Sequence, residues 1–166
     1  MTGADAMKTA PAAVLVAAFE ASALAEGDGI VGVGLDVVSV PKMSRLLAAG
    51  GSAFLERGWT QRERSDANDD PERLAARWAV KEAVMKCLGL GISDLDPRDI
   101  EVDSSESGVP SARLRGAAAE WSRRLGISKI HVSASHEGGW AAAIAVVASG
   151  TRQQHPETEI HRQEGP

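Results

Sequence analysis

The sequence has a single cysteine, Cys87, and no tyrosine among its 166 residues. One thiol excludes an intrachain disulfide and a thiolate-rich zinc site, and it suits a reducing cytoplasm. No apolar run reaches the roughly 20 residues that a membrane-spanning helix needs. Basic residues are also few, since 18 Lys and Arg face 23 Asp and Glu for a net charge of −5. We therefore expect a cytoplasmic protein that binds no membrane and does not take nucleic acid as its principal partner.

Aromatic side chains are scarce as well, with four Trp and two Phe. Small aliphatic residues must therefore fill most of the core, and a folded unit of about 120 residues of this kind buries a modest apolar area. Burial between subunits would add to that area. Length and composition thus allow a small oligomer.

Composition divides the chain into three parts. Residues 1–28 are rich in Ala, and their apolar stretch Ala12–Leu24 predicts a helix. We interpret this part as an extension rather than a targeting sequence, because Asp5 precedes the lone Lys8. Residues 150–166 are polar and are expected to form a disordered tail. The folded unit is expected to span residues 29–149.

Turn residues and hydrophobic patterning predict the first half of this unit. The β-branched run Ile30–Val40 predicts a buried strand. Pro41–Ala49 predicts a helix that stops at Gly50-Gly51. The segment Phe54–Glu63 is expected to be a short helix or a turn.

The longest helix is predicted over Glu72–Leu88, with Asp70 and Pro71 at its start and Gly89 at its end. Two short strands, a helix and a terminal hairpin around Gly138-Gly139 follow, over Asp99–Val102, Ser111–Leu114, Gly116–Leu125, Lys129–Ser135 and Trp140–Ala148. This order predicts an α+β fold in which short antiparallel strands pack on a long central helix.

Asp36 lies inside the apolar first strand. A carboxylate in such a run is unfavourable unless it is paired or bound to a metal. Strand alternation puts Gly32 and Gly34 on the same face, which leaves room for a bulky group. A structural role stays open, in which Asp36 caps the next helix or pairs with an arginine. The two glycines do not form a dinucleotide-binding fingerprint, because its third glycine is missing.

Glu82 and Lys86 are four residues apart on the long helix. Taken alone they are most simply a surface helix pair, worth only ~0.3–0.5 kcal/mol. The functional alternative is a metal ligand, Glu82, beside a phosphate-directed ammonium, Lys86. The turn from Gly89 to Gly91 follows, where the backbone could approach a ligand closely.

The segment from His131 to Glu137 holds two histidines and two serines. A Ser-His nucleophile pair is conceivable, but the sequence has no G-x-S-x-G elbow around a serine. A lone histidine on a strand is more often a structural residue.

Three motifs occur in order along the chain: G-x-G-x-D ending at Asp36, R-W-A-x-K-E-A-x-x-K from Arg77 to Lys86, and H-V-S-x-S-H from His131 to His136. Together they resemble the holo-acyl-carrier-protein synthases, the short class of 4′-phosphopantetheinyl transferases. The resemblance covers about Ile30–Ala148. It implies the fold of that family and a homotrimer with active sites between subunits.

The resemblance implies an activity, namely transfer of the 4′-phosphopantetheine arm of coenzyme A to a serine of an acyl carrier protein, which releases adenosine 3′,5′-bisphosphate. By this analogy Asp36 and Glu82 bind Mg²⁺, which prefers hard carboxylate oxygens. Lys86 would stabilise charge on the pyrophosphate. Glu137 stands where relatives carry Asp or Thr, and its carboxylate is a candidate to hold a metal-bound water or to act as the base.

The resemblance also implies the residues that contact coenzyme A. They lie on the long helix, in the turn after it, and near the ends of two later strands: Arg77, Lys81, Lys86, Gly89, Gly91, Pro110 and His136. Trp78 departs from the usual Phe of the family, and its place on the helix favours a core position.

A carrier protein is typically acidic, so an acidic enzyme needs a local basic patch to bind it. Residues 41–64 contain five basic and two acidic side chains. Lys42 and Arg45 share one helix face, with Met43 and Leu46 available for apolar contact. The family docks its carrier on the equivalent helix. The alternative is a solvated helix face.

Two other functions remain open. One is a non-catalytic trimer that binds coenzyme A or a carrier protein, although a decayed site would usually have lost Asp36, Glu82 or Lys86. The other is a metal-dependent phosphohydrolase that uses the same carboxylates with water as the nucleophile. The carrier itself could serve fatty-acid, polyketide or peptide synthesis.

Overall fold

Five strands and four helices make up the described part of the chain, residues 29–105 and 108–149, in this computed structural model. The strands are β1 Ile30–Ser39, β2 Ile100–Ser104, β3 Pro110–Leu114, β4 Ile127–Glu137 and β5 Trp140–Ser149. The helices are α1 Val40–Gly58, α2 Gln61–Ala67, α3 Pro71–Cys87 and α4 Gly116–Arg124, and a 3₁₀ turn covers Pro97–Asp99. The predictions for residues 1–28 and 150–166 lie outside the described residues.

Two antiparallel sheets hold these strands. The larger has the order β1-β5-β4, and the smaller pairs β2 with β3. Helix α3 crosses the inner face of the larger sheet, where its Val80 and Val84 share a buried core with Ala145 and Val147 of β5. The predicted α+β fold with a long central helix is confirmed.

The glycines of β1 allow α3 to lie directly against the strand. A Cβ added at Gly34 would stand 2.0 Å from the carbonyl oxygen of Ala83, and one at Gly32 would stand 2.8 Å from that of Cys87. The space that the sequence predicts beside Asp36 is therefore filled by the helix backbone. Asp36, on the same strand face, is brought against α3.

The ends of α3 and the terminal hairpin form as predicted. The Asp70 carboxylate accepts hydrogen bonds from the amides of Glu72 and Arg73, and Pro71 follows it. Gly89, with a φ of 70°, comes directly after the last turn, where only glycine adopts that conformation readily.

The predicted stop at Gly50-Gly51 is a kink rather than an end. Gly51 has a φ of 56° and a ψ of −150°, and the helix then resumes to Gly58. The single segment predicted over Phe54–Glu63 is wrong, because the chain breaks between α1 and α2. There the Thr60 hydroxyl accepts from the Glu63 amide, and the Glu63 carboxylate accepts from the Thr60 amide.

The outer face of the larger sheet is apolar along β1 and β5, whereas on β4 it carries His131, Ser133 and Ser135. The apolar residues of this face alternate with those that face α3, and all of them remain partly exposed: Val33, Leu35, Val37, Ala142, Ile144 and Val146.

Within residues 29–105 and 108–149 no helix is long and apolar enough to cross a bilayer.

Candidate active site

Asp36, Glu82 and Lys86 meet where β1 packs on α3. The Lys86 ammonium lies 2.9 Å from Asp36 Oδ1 and also donates to the carbonyl of Leu35 at 2.8 Å. The hydrogen bonds of the ammonium are therefore made to β1, and a surface helix pair between Lys86 and Glu82 does not account for them. Asp36 does not cap α1 either, because Ser39 occupies the N-cap position.

Glu82 is half-buried beside Asp36, and its pKa is raised. Burial is the main cause, because it disfavours the charged form, and the negative charge of Asp36 adds to it. The Trp78 indole donates to Glu82 Oε1 at 2.6 Å, and this hydrogen bond and the Lys86 charge lower the pKa in part. A site with two adjacent carboxylates, one of them resisting ionisation, is one that a cation would stabilise.

The donor set fits a magnesium ion that is shared with a phosphate substrate. Among the residues that the structure describes, no cluster of three or more His, Cys, Asp or Glu side chains could enclose a metal. Asp36 and Glu82 supply two carboxylates, and Mg²⁺ commonly takes one or two, with waters and substrate phosphates as its other ligands. These residues fit that arrangement.

A second site is a cavity of about 470 Å³ between α3, the β2–β3 pair and the end of β4. Arg77, Pro110 and His136, three of the residues predicted to contact coenzyme A, line it together with Arg73. Arg77 is buried, which lowers its pKa, and its Nε has no hydrogen-bond partner among the described residues. An unpaired buried guanidinium N–H is a donor that an anion can satisfy.

The side chains of the first cluster and those of the cavity leave α3 on opposite sides. Arg73, Arg77 and Val80 line the cavity, whereas Glu82 and Lys86 point towards β1. At 3.6 residues per turn, these two sets are centred roughly 150–170° apart around the helix. One chain therefore does not present both sets on one surface.

Lys81 is a structural residue rather than a coenzyme A ligand, which corrects the prediction. Its side chain is fully buried and pairs with Glu63 at 2.9 Å. It also donates at 2.8 Å to the carbonyls of Pro97 and Ile100, so its three donors are used. Burial lowers the pKa of Lys81, and the charge of Glu63 opposes that shift.

Among the described residues, no hydrogen bond or ion pair joins Glu137, Gly89 or Gly91 to Asp36 or Glu82. Glu137 is exposed at the end of β4. Gly89 and Gly91 follow α3, one turn beyond Lys86, and the Gly91 amide donates to Asp94. His136 lies 3.2 Å from the carboxylate of Glu72.

The basic face of α1 is present, with one correction. Lys42, Arg45 and Leu46 are exposed. Met43 is buried, because it packs with Trp59 and Leu74 in a second core cluster, and so it is not available to a partner.

Sequence reasoning missed two features of the site. Glu63 is fully buried and joins α2 to α3 and β2, with its second oxygen accepting from the Val102 amide. The T-x-x-E pattern of Thr60–Glu63 marked its local role as a capping box but not its burial. The hydrogen bond from Trp78 to Glu82 had no signal beyond their four-residue spacing.

Comparisons with known proteins give a consistent result. The model of the 4′-phosphopantetheinyl transferase superfamily matches residues 32–145. A holo-[acyl-carrier-protein] synthase of Mycobacterium tuberculosis is 43% identical over 130 residues, which cover 72% of this chain and 97% of that protein. The Helicobacter pylori holo-[acyl-carrier-protein] synthase in complex with coenzyme A has a TM-score of 0.64 at 30% identity, covering 70% of this chain and 99% of that one. A Bacillus anthracis holo-(acyl-carrier-protein) synthase in complex with CoA (3′,5′-ADP) has a TM-score of 0.60 at 30% identity, over 73% and 98% of the two chains.

Proposed function

Because this chain belongs to the holo-acyl-carrier-protein synthases of the 4′-phosphopantetheinyl transferase superfamily, we propose that it loads an acyl carrier protein in a Mg²⁺-dependent reaction. The 4′-phosphopantetheine group passes from coenzyme A to a serine hydroxyl of the apo carrier, and adenosine 3′,5′-bisphosphate leaves. The observation that carries the proposal is the contact of Asp36, Glu82 and Lys86 at the β1–α3 junction. A cytoplasmic location is part of the proposal.

Asp36 and Glu82 would hold the magnesium ion. When bound, it supplies positive charge to the pyrophosphate of coenzyme A. Lys86 contributes a half-exposed ammonium on the same surface, 2.9 Å from Asp36, where it neutralises charge on the leaving phosphate. The raised pKa of Glu82 marks the carboxylate whose ionisation gains most from a neighbouring cation.

The cavity lined by Arg77, Pro110 and His136 would bind the nucleotide part of coenzyme A. Arg73 and Arg77 bring positive charge to this cavity, beside Asp66 on its wall, and the unpaired Nε of Arg77 is a donor for a phosphate oxygen. Gly89 and Gly91 leave the turn after Lys86 without side chains, so the backbone is open to the ligand there.

The division of these residues supports a homotrimer with shared active sites. The Asp36–Glu82–Lys86 cluster and the cavity lie on opposite sides of α3, so a second subunit is needed to bring them to one coenzyme A molecule. The apolar outer face of β1 and β5 supplies a surface for the subunit contact. Glu137, next to His136, would enter this shared site from the subunit that provides the cavity, where it is proposed to take the proton of the serine.

The exposed side chains of Lys42, Arg45 and Leu46 would form the docking surface for the carrier. They lie on α1, which begins directly after the strand that carries Asp36. The carrier's serine must reach the cluster, and a basic helix next to it is suitably placed for an acidic partner.

The test is incubation of the purified protein with apo acyl carrier protein, coenzyme A and Mg²⁺, followed by mass spectrometry of the carrier. We expect an increment of one phosphopantetheine group, which Asp36→Asn and Glu82→Gln abolish and Glu120→Gln, on the exposed face of α4, preserves. Cleavage of coenzyme A without any carrier would instead identify a phosphohydrolase. Binding of coenzyme A with no increment on several carriers would identify a non-catalytic binding protein.

A further inference from the structure

The indole ring of Trp78 is held in place by an aromatic cluster that it forms with Phe54 and Trp59. The ring centroids of Trp78 and Trp59 are 5.2 Å apart, and those of Trp78 and Phe54 are 6.5 Å apart. Gly58 passes against the same ring, since a Cβ added there would stand 3.2 Å from Trp78 Cζ3. The end of α1 therefore fixes the orientation of this indole.

This fixed ring aims its N–H at Glu82. Nε1 donates to Oε1 at 2.6 Å across one turn of α3, a short charge-assisted hydrogen bond. The bond occupies one carboxylate oxygen and restrains the side-chain rotamer, so the second oxygen keeps a defined position. It also stabilises the ionised carboxylate, against the effects of burial and of Asp36.

We propose that Trp78 is a positioning residue that presents the carboxylate of Glu82 to the divalent cation. The inference rests on the proposed function, and it adds that the aromatic cluster at the end of α1 tunes the cation site through one hydrogen bond. Groups that orient a metal ligand in this way have effects of about 10- to 100-fold on metal affinity when they are removed.

The test compares Trp78→Phe with Trp121→Phe. Both variants replace an indole that donates a hydrogen bond by a smaller aromatic ring, but Trp121 lies on α4, outside the aromatic cluster, and donates to the carbonyl of Leu88. Mn²⁺ binding, measured by electron paramagnetic resonance in the presence of coenzyme A, is expected to weaken about ten-fold in Trp78→Phe and to stay unchanged in Trp121→Phe. The Mg²⁺ concentration for half-maximal activity should rise in parallel, with the KM for the carrier unchanged.

A second measurement needs no substitution and so does not depend on folding of the variants. In the NMR spectrum of the unaltered protein, addition of Mg²⁺ with coenzyme A is expected to shift the indole N–H signal of Trp78 more than that of Trp59. Equal Mn²⁺ affinities of the two Phe variants, or an unmoved Trp78 signal, would overturn the role of Trp78. If Glu82→Gln still bound Mn²⁺ as the unaltered protein does, the proposed metal site would fail too.

Discussion

Lys81 and Glu63 form a buried ion pair that ties α2 and α3 to the segment before β2. Removing one partner leaves an uncompensated charge in the core, which typically destabilises a protein by about 3–5 kcal/mol. We expect this loss in the free energy of unfolding for Lys81→Met, measured by urea denaturation. The matched variant Lys42→Met changes an exposed lysine of α1 and should stay within about 0.5 kcal/mol. Equal stability of the two variants would contradict the structural role of Lys81.

The raised pKa of Glu82 gives the metal-free protein a characteristic pH dependence. The folded state holds this proton more tightly than the unfolded state, where the carboxyl titrates near its ordinary value of 4.5. The free energy of unfolding should therefore fall as the pH rises from that value through the raised pKa of the folded state. Above the raised pKa the free energy of unfolding should not fall further from this cause.

Glu82→Gln should remove this part of the pH dependence and stabilise the metal-free protein at neutral pH. Urea denaturation over the acidic-to-neutral range in the presence of a chelator measures it, with Glu120→Gln on α4 as the control. Added Mg²⁺ should stabilise the unaltered protein and not Glu82→Gln. An unchanged pH profile in Glu82→Gln would contradict the burial and charge effects assigned to this carboxyl.

Single residues of the site were predictable where their chemistry was out of place locally. Asp36 in an apolar strand predicted a partner, which is Lys86, whereas the phosphate site that the motif around Glu82 and Lys86 indicated stays a prediction. Lys81 belongs to the same motif, but its burial depends on Glu63, which is 18 residues away in sequence. No local pattern could have distinguished it from a ligand.

At the scale of elements, the sequence predicted those helix ends that are determined by interactions within one turn. The N-cap Asp70 and the glycine at position 89 set the ends of α3, and both act within one turn. The kink at Gly51 and the break before Thr60 serve a different purpose, because they place Phe54 and Trp59 on Trp78 of a distant helix. Such packing depends on tertiary structure. The local pattern instead predicted that the helix stops at Gly50-Gly51 and that Phe54–Glu63 forms a single segment.

The proposed docking surface on α1 is basic, so charge reversal there should affect the carrier alone. We expect the double variant Lys42→Glu with Arg45→Glu to raise the KM for the carrier about ten-fold at low salt, and less at high salt. The KM for coenzyme A should not change. Arg123→Glu with Arg124→Glu makes the same charge change on α4 and is the control. An unaltered carrier KM would show that α1 is only a solvated face.

At the scale of the whole molecule, α3 separates the two proposed half-sites, which are the Asp36–Glu82–Lys86 cluster and the cavity. Their separation predicts how subunits must assemble to complete an active site. Asp36 lies on the β1 side of the helix, and Arg77 and His136 lie on the cavity side. In a closed ring, each interface joins the cluster of one subunit to the cavity of the next. A site of this kind can be rebuilt from two inactive chains.

The prediction is that Asp36→Asn and Arg77→Ala are each inactive and regain activity when they are mixed. In a trimer assembled at random from equal amounts, the intact cluster meets the intact cavity at about a quarter of the interfaces, so about a quarter of the original activity should return. The variants are refolded together from urea, and transfer to the carrier is then assayed, with separately refolded and pooled samples as the control. If both half-sites act within one chain, the mixture stays inactive, because neither chain holds a complete set.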